Sequence, residues 1–245
     1  MSKLAAVIDD LVAANHILAA QGVVDAFGHV SVRHPDDPTR FLLSRARSPE
    51  CIEADDIMEF SLDGTPVEAR GRKPYIERFI HSAVYEARGD VNGVVHSHSR
   101  NLIPFGVGGE KLRPLAHYCA VIGYEVPIWD IRTVFGDTDL LVTNTDQGRD
   151  LARFMGGRAA VLMRGHGATV AASSMRLAVY TAIYLQVNAD LQREAARYDE
   201  VVYLSPGEID RLNAWFKDSD NAQLGLGRAW EYWCRRSGVI YKPAP

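Results

Sequence analysis

His96-Ser97-His98 sets two imidazoles two residues apart at the end of an apolar run, Val94-Val95. On a strand, residues i and i+2 leave the same face, so two side chains about 7 Å apart at the backbone can turn onto one ion about 2.0–2.1 Å from each nitrogen. Such a pair needs a third ligand from elsewhere. Arg164-Gly165-His166-Gly167 offers it, because flanking glycines let the backbone turn sharply and approach a crowded site. Each histidine taken singly could equally be a hydrogen-bonded core residue. Two such signatures, each closing an apolar strand, argue for a shared metal centre. Glu77 is bracketed by Tyr75, Ile76, Phe79 and Ile80, an apolar setting that raises a carboxylate pKa unless a cation lies beside it. It is a candidate fourth ligand or a general acid/base, with a helix N-terminal charge as the plainer alternative. His81, four residues on, reads as a buttress of the same helix.

The elements that must carry these residues can be traced along the chain. Leu4, Val7, Ile8, Leu11, Val12, Ile17 and Leu18 recur at helical spacing, predicting an amphipathic helix that ends near Gly22. Gly28 to His34 alternates apolar and polar residues, Pro35 to Pro38 makes a turn, and Arg40 to Ser44 resumes as a strand. Ile57 to Leu62 followed by Asp63-Gly64 predicts a third strand entering a hairpin. A helix is expected from about Tyr75 to Arg88, then the strand carrying His96 and His98. A strand-turn unit at Ala160 to Ala168 carries His166, and a long helix from about Met175 to Tyr198 and two shorter helical stretches follow. No internal repeat and no linker rich in Gly, Ser or Pro interrupts this order, so residues 1–245 are read as one domain. Strands and helices mix without strict β-α-β alternation, which argues against a doubly wound parallel sheet.

Composition bounds the function. The 245 residues are 47% hydrophobic and 24% charged, with a net charge of −4 and no massed basic stripe, so no nucleic-acid partner is expected. No stretch approaches the ~18 uncharged apolar residues of a membrane span, and the start lacks a signal-peptide pattern. Cys51, Cys119 and Cys234 are widely spaced without a Cys-x-x-Cys pair, which excludes a cysteine zinc knuckle and suits three free thiols in a reducing cytoplasm. Gly106-Val107-Gly108-Gly109 lacks the Lys-Ser/Thr ending of a phosphate loop.

Glu77-Arg78-Phe79-x-His81, Tyr85-x-x-Arg88-x-Asp90, His96-x-His98 and Gly165-His166-Gly167, with Gly28-x-x-Ser31-x-Arg33 before them, resemble the class II aldolase/adducin family over roughly residues 5–200. The resemblance implies an α/β/α sandwich around a mostly antiparallel central sheet. It implies one divalent metal (Zn, Mn, Fe or Co) on His96, His98 and His166, and a homo-oligomer, often a tetramer, with sites near subunit interfaces. Family members include sugar-phosphate aldolases and epimerases, a dehydratase, decarboxylases of hydroxylated aromatic acids, and a cytoskeletal homologue without catalysis.

Departures from the sugar-phosphate pattern select among these chemistries. That branch holds phosphate with a Thr-x-Ser-Gly turn and a hydroxyl pair just before the glutamate. Here the corresponding places read Ser44-Arg45-Ala46-Arg47 and Tyr75-Ile76. Ser44-Arg45-x-Arg47-Ser48-Pro49-Glu50, Ile103-Pro104-Phe105-Gly106 and Leu112-Arg113-Pro114-x-x-His117 are similar to the branch of decarboxylases of hydroxypyridine dicarboxylates and dihydroxyphthalates. The expected reaction is non-oxidative loss of CO₂ from an aromatic acid with an ortho hydroxyl. Glu77 is the first-choice proton donor and His117 the second; Ser31, Ser44, Arg45 and Arg47 are the expected substrate contacts. An arginine can grip a carboxylate with two parallel N–H bonds, although either could instead pair with a nearby acid. Aldol cleavage or epimerisation of a sugar, iron-dependent oxygenation and a non-catalytic role are the alternatives.

Overall fold

The structure is a computed structural model that describes residues 2–217 and 219–240; of the expected span, residues 1, 218 and 241–245 lie outside it. Helix α1 (Lys3–Ala20) leads into the antiparallel strands β1 (His29–Arg33), β2 (Arg40–Ser44) and β3 (Ile57–Ser61). Helix α2 (Arg78–Ala87) and strand β4 (Gly93–Ser97) follow, then α3 (Ile103–Val107), β5 (Ile128–Trp129), α4 (Arg132–Phe135) and α5 (Thr145–Met155). The hairpin β6 (Ala160–Met163) and β7 (Gly167–Ala172) precedes α6 (Met175–Ala195), α7 (Pro206–Lys217) and α8 (Ser219–Arg236).

The strands form one sheet in the order β3-β2-β1-β4-β7-β6-β5, antiparallel throughout except for β5 against β6. Period-2 alternation gives each strand two apolar faces, and both are covered. On one face Val30, Val32, Leu42, Val95, Leu162 and Val170 pack with residues of α1, α6 and α8. On the other Phe41, Leu43, Met58, Phe60, Val94 and Val161 pack with Ile80, Val84, Leu151 and Met155 of α2 and α5. This is the α/β/α sandwich with a mostly antiparallel sheet that the resemblance implies. None of the described helices is long and apolar enough to cross a membrane.

Local outcomes differ in instructive places. α2 starts at Arg78 rather than Tyr75, because Pro74 bridges to Arg45 in extended form and leaves Glu77 as the cap residue. The long helix ends at Ala195, short of Tyr198. α3, β5, α4, α5 and β7 are additional to the predicted elements. β7 is Gly-Ala-Thr-Val-Ala-Ala, whose small residues carry little strand signal. It is a strand because β4 on one side and β6 on the other supply its hydrogen bonds.

Candidate metal centre

Four side chains from three segments of the chain meet at one end of the sheet. His96 lies in β4, His98 just beyond it, His166 in the β6–β7 turn, and Glu77 at the cap of α2. Their donor atoms all fall within 4.8 Å of one another. His98 Nε2 is 3.0 Å from both His96 Nε2 and His166 Nε2. Glu77 Oε2 is 3.6 Å from His96 Nε2, 4.0 Å from His98 Nε2 and 3.5 Å from His166 Nε2.

Backbone geometry enforces this meeting. Pairing of Ser97 with Ala168 draws the β6–β7 turn beside His98. A Cβ on Gly167 would stand 2.0 Å from the Ser97 carbonyl oxygen, and Gly165 has φ +66°, so both glycines around His166 are sterically required. His166 Nδ1 lies 2.9 Å from the Leu140 carbonyl, to which it donates, which leaves Nε2 with its lone pair aimed into the cluster. Glu77 Oε1 accepts the Val142 N–H at 3.0 Å, so Oε2 is the oxygen turned to the imidazoles.

The electrostatics test whether a metal fits. Burial works against the Glu77 anion, while His96, His166 and the Val142 N–H favour it and bring it down to about 2. Yet burial, the largest influence on His96, holds that imidazole well below its ordinary value despite Glu77. Burial likewise lowers His98. Neutral imidazoles cannot balance a buried carboxylate, so the cluster must either retain a proton or take up a cation. Three imidazole nitrogens and one carboxylate oxygen suit a first-row divalent ion. Nitrogens 3.0 Å apart have the separation of neighbouring ligands about 2.1 Å from one centre. The residues therefore fit a metal.

The other expected site residues are placed as follows. Ser31 is completely buried, with Oγ 2.6 Å from His81 Nδ1 and 2.9 Å from the Tyr85 hydroxyl. Ser44 is also completely buried. Side chains project from the faces of the sheet, where α2 covers Ser31 through His81 and Tyr85, and neither hydroxyl is presented to the surface. Arg45 Nε and Arg47 Nη1 both donate to Asp56, at 2.5 and 2.6 Å. Arg47 also lies 3.5 Å from Glu53, while Arg45 makes no other side-chain bond among the described residues. His117 opens a 3₁₀ turn (His117–Ile122), is exposed, and lines a cavity of about 730 Å³ with Tyr118, Tyr180, Tyr184 and Trp233 that none of the four donors lines.

Some neighbours of the centre were not singled out by the sequence. His29 stacks near His96, with ring centroids 5.0 Å apart, and Tyr75 stands 4.6 Å from His29. The Tyr75 hydroxyl donates to the Arg47 carbonyl, tying the arginine loop to the site. Phe27 faces His98 at 6.3 Å. A cavity of about 280 Å³ runs from His98 past Asp25, Arg100, Asn101 and Gln186. Gly28-His29 carries no strong motif alone; only strand register could reveal His29, since it pairs opposite His96.

Comparison with known proteins agrees with this architecture. The class II aldolase and adducin N-terminal domain family matches residues 9–193. A decarboxylase, tropJ, of Talaromyces stipitatus is 34% identical over 248 residues, 92% of each chain. A 3,4-dihydroxyphthalate decarboxylase of Arthrobacter keyseri is 31% identical over 185 residues, 71% of this chain and 73% of that one. An L-fuculose 1-phosphate aldolase of Glaciozyma antarctica shares the fold with a TM-score of 0.77 at 20% identity, over 98% of this chain and 93% of that one. A family sequence pattern matched over three quarters of the chain, on a fold shared nearly end to end, means that the chain belongs to the class II aldolase and adducin N-terminal domain family.

Proposed function

We propose that this chain is a carbon–carbon lyase, a metal-dependent decarboxylase that removes CO₂ without oxidation from a hydroxylated aromatic or heteroaromatic acid. The observation that carries this reading is the wall beside the ligands: Tyr75, not a hydroxyl pair, occupies the approach to Glu77, with its ring on His29 and its hydroxyl already donated to Arg47. With Phe27 on the far side at His98, the site is flanked by flat apolar surfaces that suit an aromatic ring better than a phosphate. The decarboxylase names of the relatives support the same choice.

A divalent ion would be held by His96, His98 and His166, with Glu77 beside it, and would supply a Lewis acid for the anionic oxygen next to the reacting carbon. Glu77 moves the proton. Its Oε1 is committed to Val142, so Oε2 takes the proton of the substrate's ortho hydroxyl and delivers it to the ring carbon that bears the carboxylate. The ring thereby becomes a keto tautomer. The C–C bond to the carboxylate breaks, CO₂ leaves, and its electron pair passes into that carbonyl. A solvent proton restores the hydroxyl, so each carboxylate lost is replaced by one hydrogen. Direct loss of CO₂ would place an sp² carbanion in the ring plane with no delocalisation, which is why proton delivery must come first. Arg45, with N–H groups to spare beyond Asp56, is assigned to a second carboxylate of the substrate, and Arg47 to holding the loop with it. His117 shares no described contact with the cluster and is given no step.

The test is CO₂ release from hydroxylated phthalates and pyridine dicarboxylates by metal-loaded and chelated protein. Release should require the metal. Cleavage of sugar phosphates with aromatic acids untouched would transfer the site to the aldolase chemistry of its structural relatives. We also infer a homo-oligomer: Phe27 and Ile76 beside the site are 65% and 60% exposed, an apolar rim that a neighbouring subunit would cover. Light scattering that finds only monomer would remove this part of the reading.

A further inference from the structure

A continuous file of polar side chains runs behind His96, and the steps above use none of it. Its members are His29, His81, Ser31 and Tyr85, each at most 3% exposed. His29 Nδ1 is 2.6 Å from His81 Nε2, His81 Nδ1 is 2.6 Å from Ser31 Oγ, and Ser31 Oγ is 2.9 Å from the Tyr85 hydroxyl. At its far end the Tyr85 hydroxyl has Ser31 as its one side-chain hydrogen-bond partner among the described residues.

Counting protons gives this file a direction. Tyr85 is buried and its hydroxyl has only Ser31 to donate to among the described residues, so its proton goes there. Ser31 has one proton and gives it to His81 Nδ1. His81 must then carry its proton on Nε2 and donate it to His29 Nδ1, so the remaining proton of His29 sits on Nε2. The opposite order would leave the Tyr85 proton buried with no acceptor among the described residues, which is unfavourable. His29 Nε2 bonds to no described side chain. It is not sealed away either, since the buried unpartnered atoms include His96 Nδ1 but not His29 Nε2. It stands between the Tyr75 and His96 rings, beside the metal ligands but with no lone pair free to join them.

We propose that His29 is a substrate-binding hydrogen-bond donor, its Nε2–H held in place by the His81–Ser31–Tyr85 file and aimed at an anionic oxygen of the bound aromatic acid. The substrate class rests on the decarboxylase reading; the tautomer does not. The same file keeps a fourth imidazole at the site from becoming a ligand, because a protonated nitrogen cannot coordinate. His81, Ser31 and Tyr85 are positioning residues.

Two measurements on the zinc-loaded protein test this. Imidazole ¹⁵N spectra of histidine-labelled protein should show His29 protonated at Nε2 and bare at Nδ1, with the pure tautomer lost in Tyr85→Phe. A His29 protonated at Nδ1 in the unmodified protein overturns the proposal. Calorimetric binding of 2,3-dihydroxybenzoate should weaken about tenfold or more in His29→Ala and His29→Gln, with zinc content unchanged. Ser31→Ala should weaken it less, and Ser31→Thr, which restores the hydroxyl, should recover it. Unchanged affinity in both His29 variants also overturns the proposal. If the unmodified protein fails to bind any hydroxylated aromatic acid, the decarboxylase reading and the ligand class fall together, while the tautomer spectrum still decides the file.

Discussion

Asp56 and Glu77 are carboxylates of similar burial, 5% and 7% exposed, and burial alone would raise both. Both are instead held near 2. For Asp56 burial is outweighed by Arg45, the Glu53 N–H and Arg47, and the guanidiniums are charged at every accessible pH. Its partners are part of the chain. Around Glu77 stand His96 and His98, imidazoles that burial itself pushes toward neutrality, so the balancing charge is a retained proton or a bound cation. One carboxylate is a finished structural joint, and the other stands in a cluster that could hold a metal ion. The chemistry of the partner, rather than the depth of burial, separates them.

Four interventions would break or sharpen this contrast. Replacing His96 and His98 together by alanine should lower bound metal from about one per chain to a trace by elemental analysis. CO₂ release should fall by roughly 10³-fold or more, within the range set by losing Lewis-acid assistance. Metal retained at full stoichiometry would show that Glu77 needs no such partner. Gly167→Ala comes next, because its Cβ would meet the Ser97 carbonyl at 2.0 Å. Overpacking of this kind costs about 1–3 kcal/mol, read as a drop in melting temperature, and metal should be lost as His166 moves away from His98. Glu77→Gln should keep a folded protein and measurable metal on three imidazoles while activity falls roughly 10²–10⁴-fold, the usual range for a proton-transfer group. Full activity in that variant would remove Glu77 from the chemistry.

The smallest effect belongs to Asp56→Asn, which should leave metal content unchanged and lower stability by roughly 1–2 kcal/mol, discounting for the partly exposed arginines. Its sign with pH is fixed. A carboxyl lowered from 3.8 to about 2 contributes its full stability above pH 3.8 and loses it as pH falls toward 2. The difference between wild type and Asp56→Asn in denaturant unfolding should therefore shrink across that window and be constant above it. A difference that grows on acidification would contradict the assignment.

The two carboxylates also mark how far the sequence could be read. Glu77 stands out locally, as an acid amid Tyr75, Ile76, Phe79 and Ile80. Asp56 does not: Glu53-Ala54-Asp55-Asp56 looks like a solvated acidic turn, and only the return of β2 beside β3 sets Arg45 and Arg47 against it. The arginines pair with an anion inside the chain, the alternative to a substrate carboxylate that their residue type left open. Ser31 and Ser44 were legible as hydroxyls and not as buried ones, because the cover on a strand face comes from distant helices.

By itself the sequence determined what could be settled within a few residues. Two-residue periodicity sends His96 and His98 the same way, Gly165 and Gly167 permit a tight turn at His166, and the spacing of apolar residues from Leu4 to Leu18 predicts α1. Tertiary structure alone decided which groups meet. Register between β1 and β4 sets His29 beside His96, and pairing of β4 with β7 brings His166 to His98. Side-chain direction follows from local backbone geometry, whereas strand partners are chosen by the summed burial and hydrogen bonding of the whole sheet.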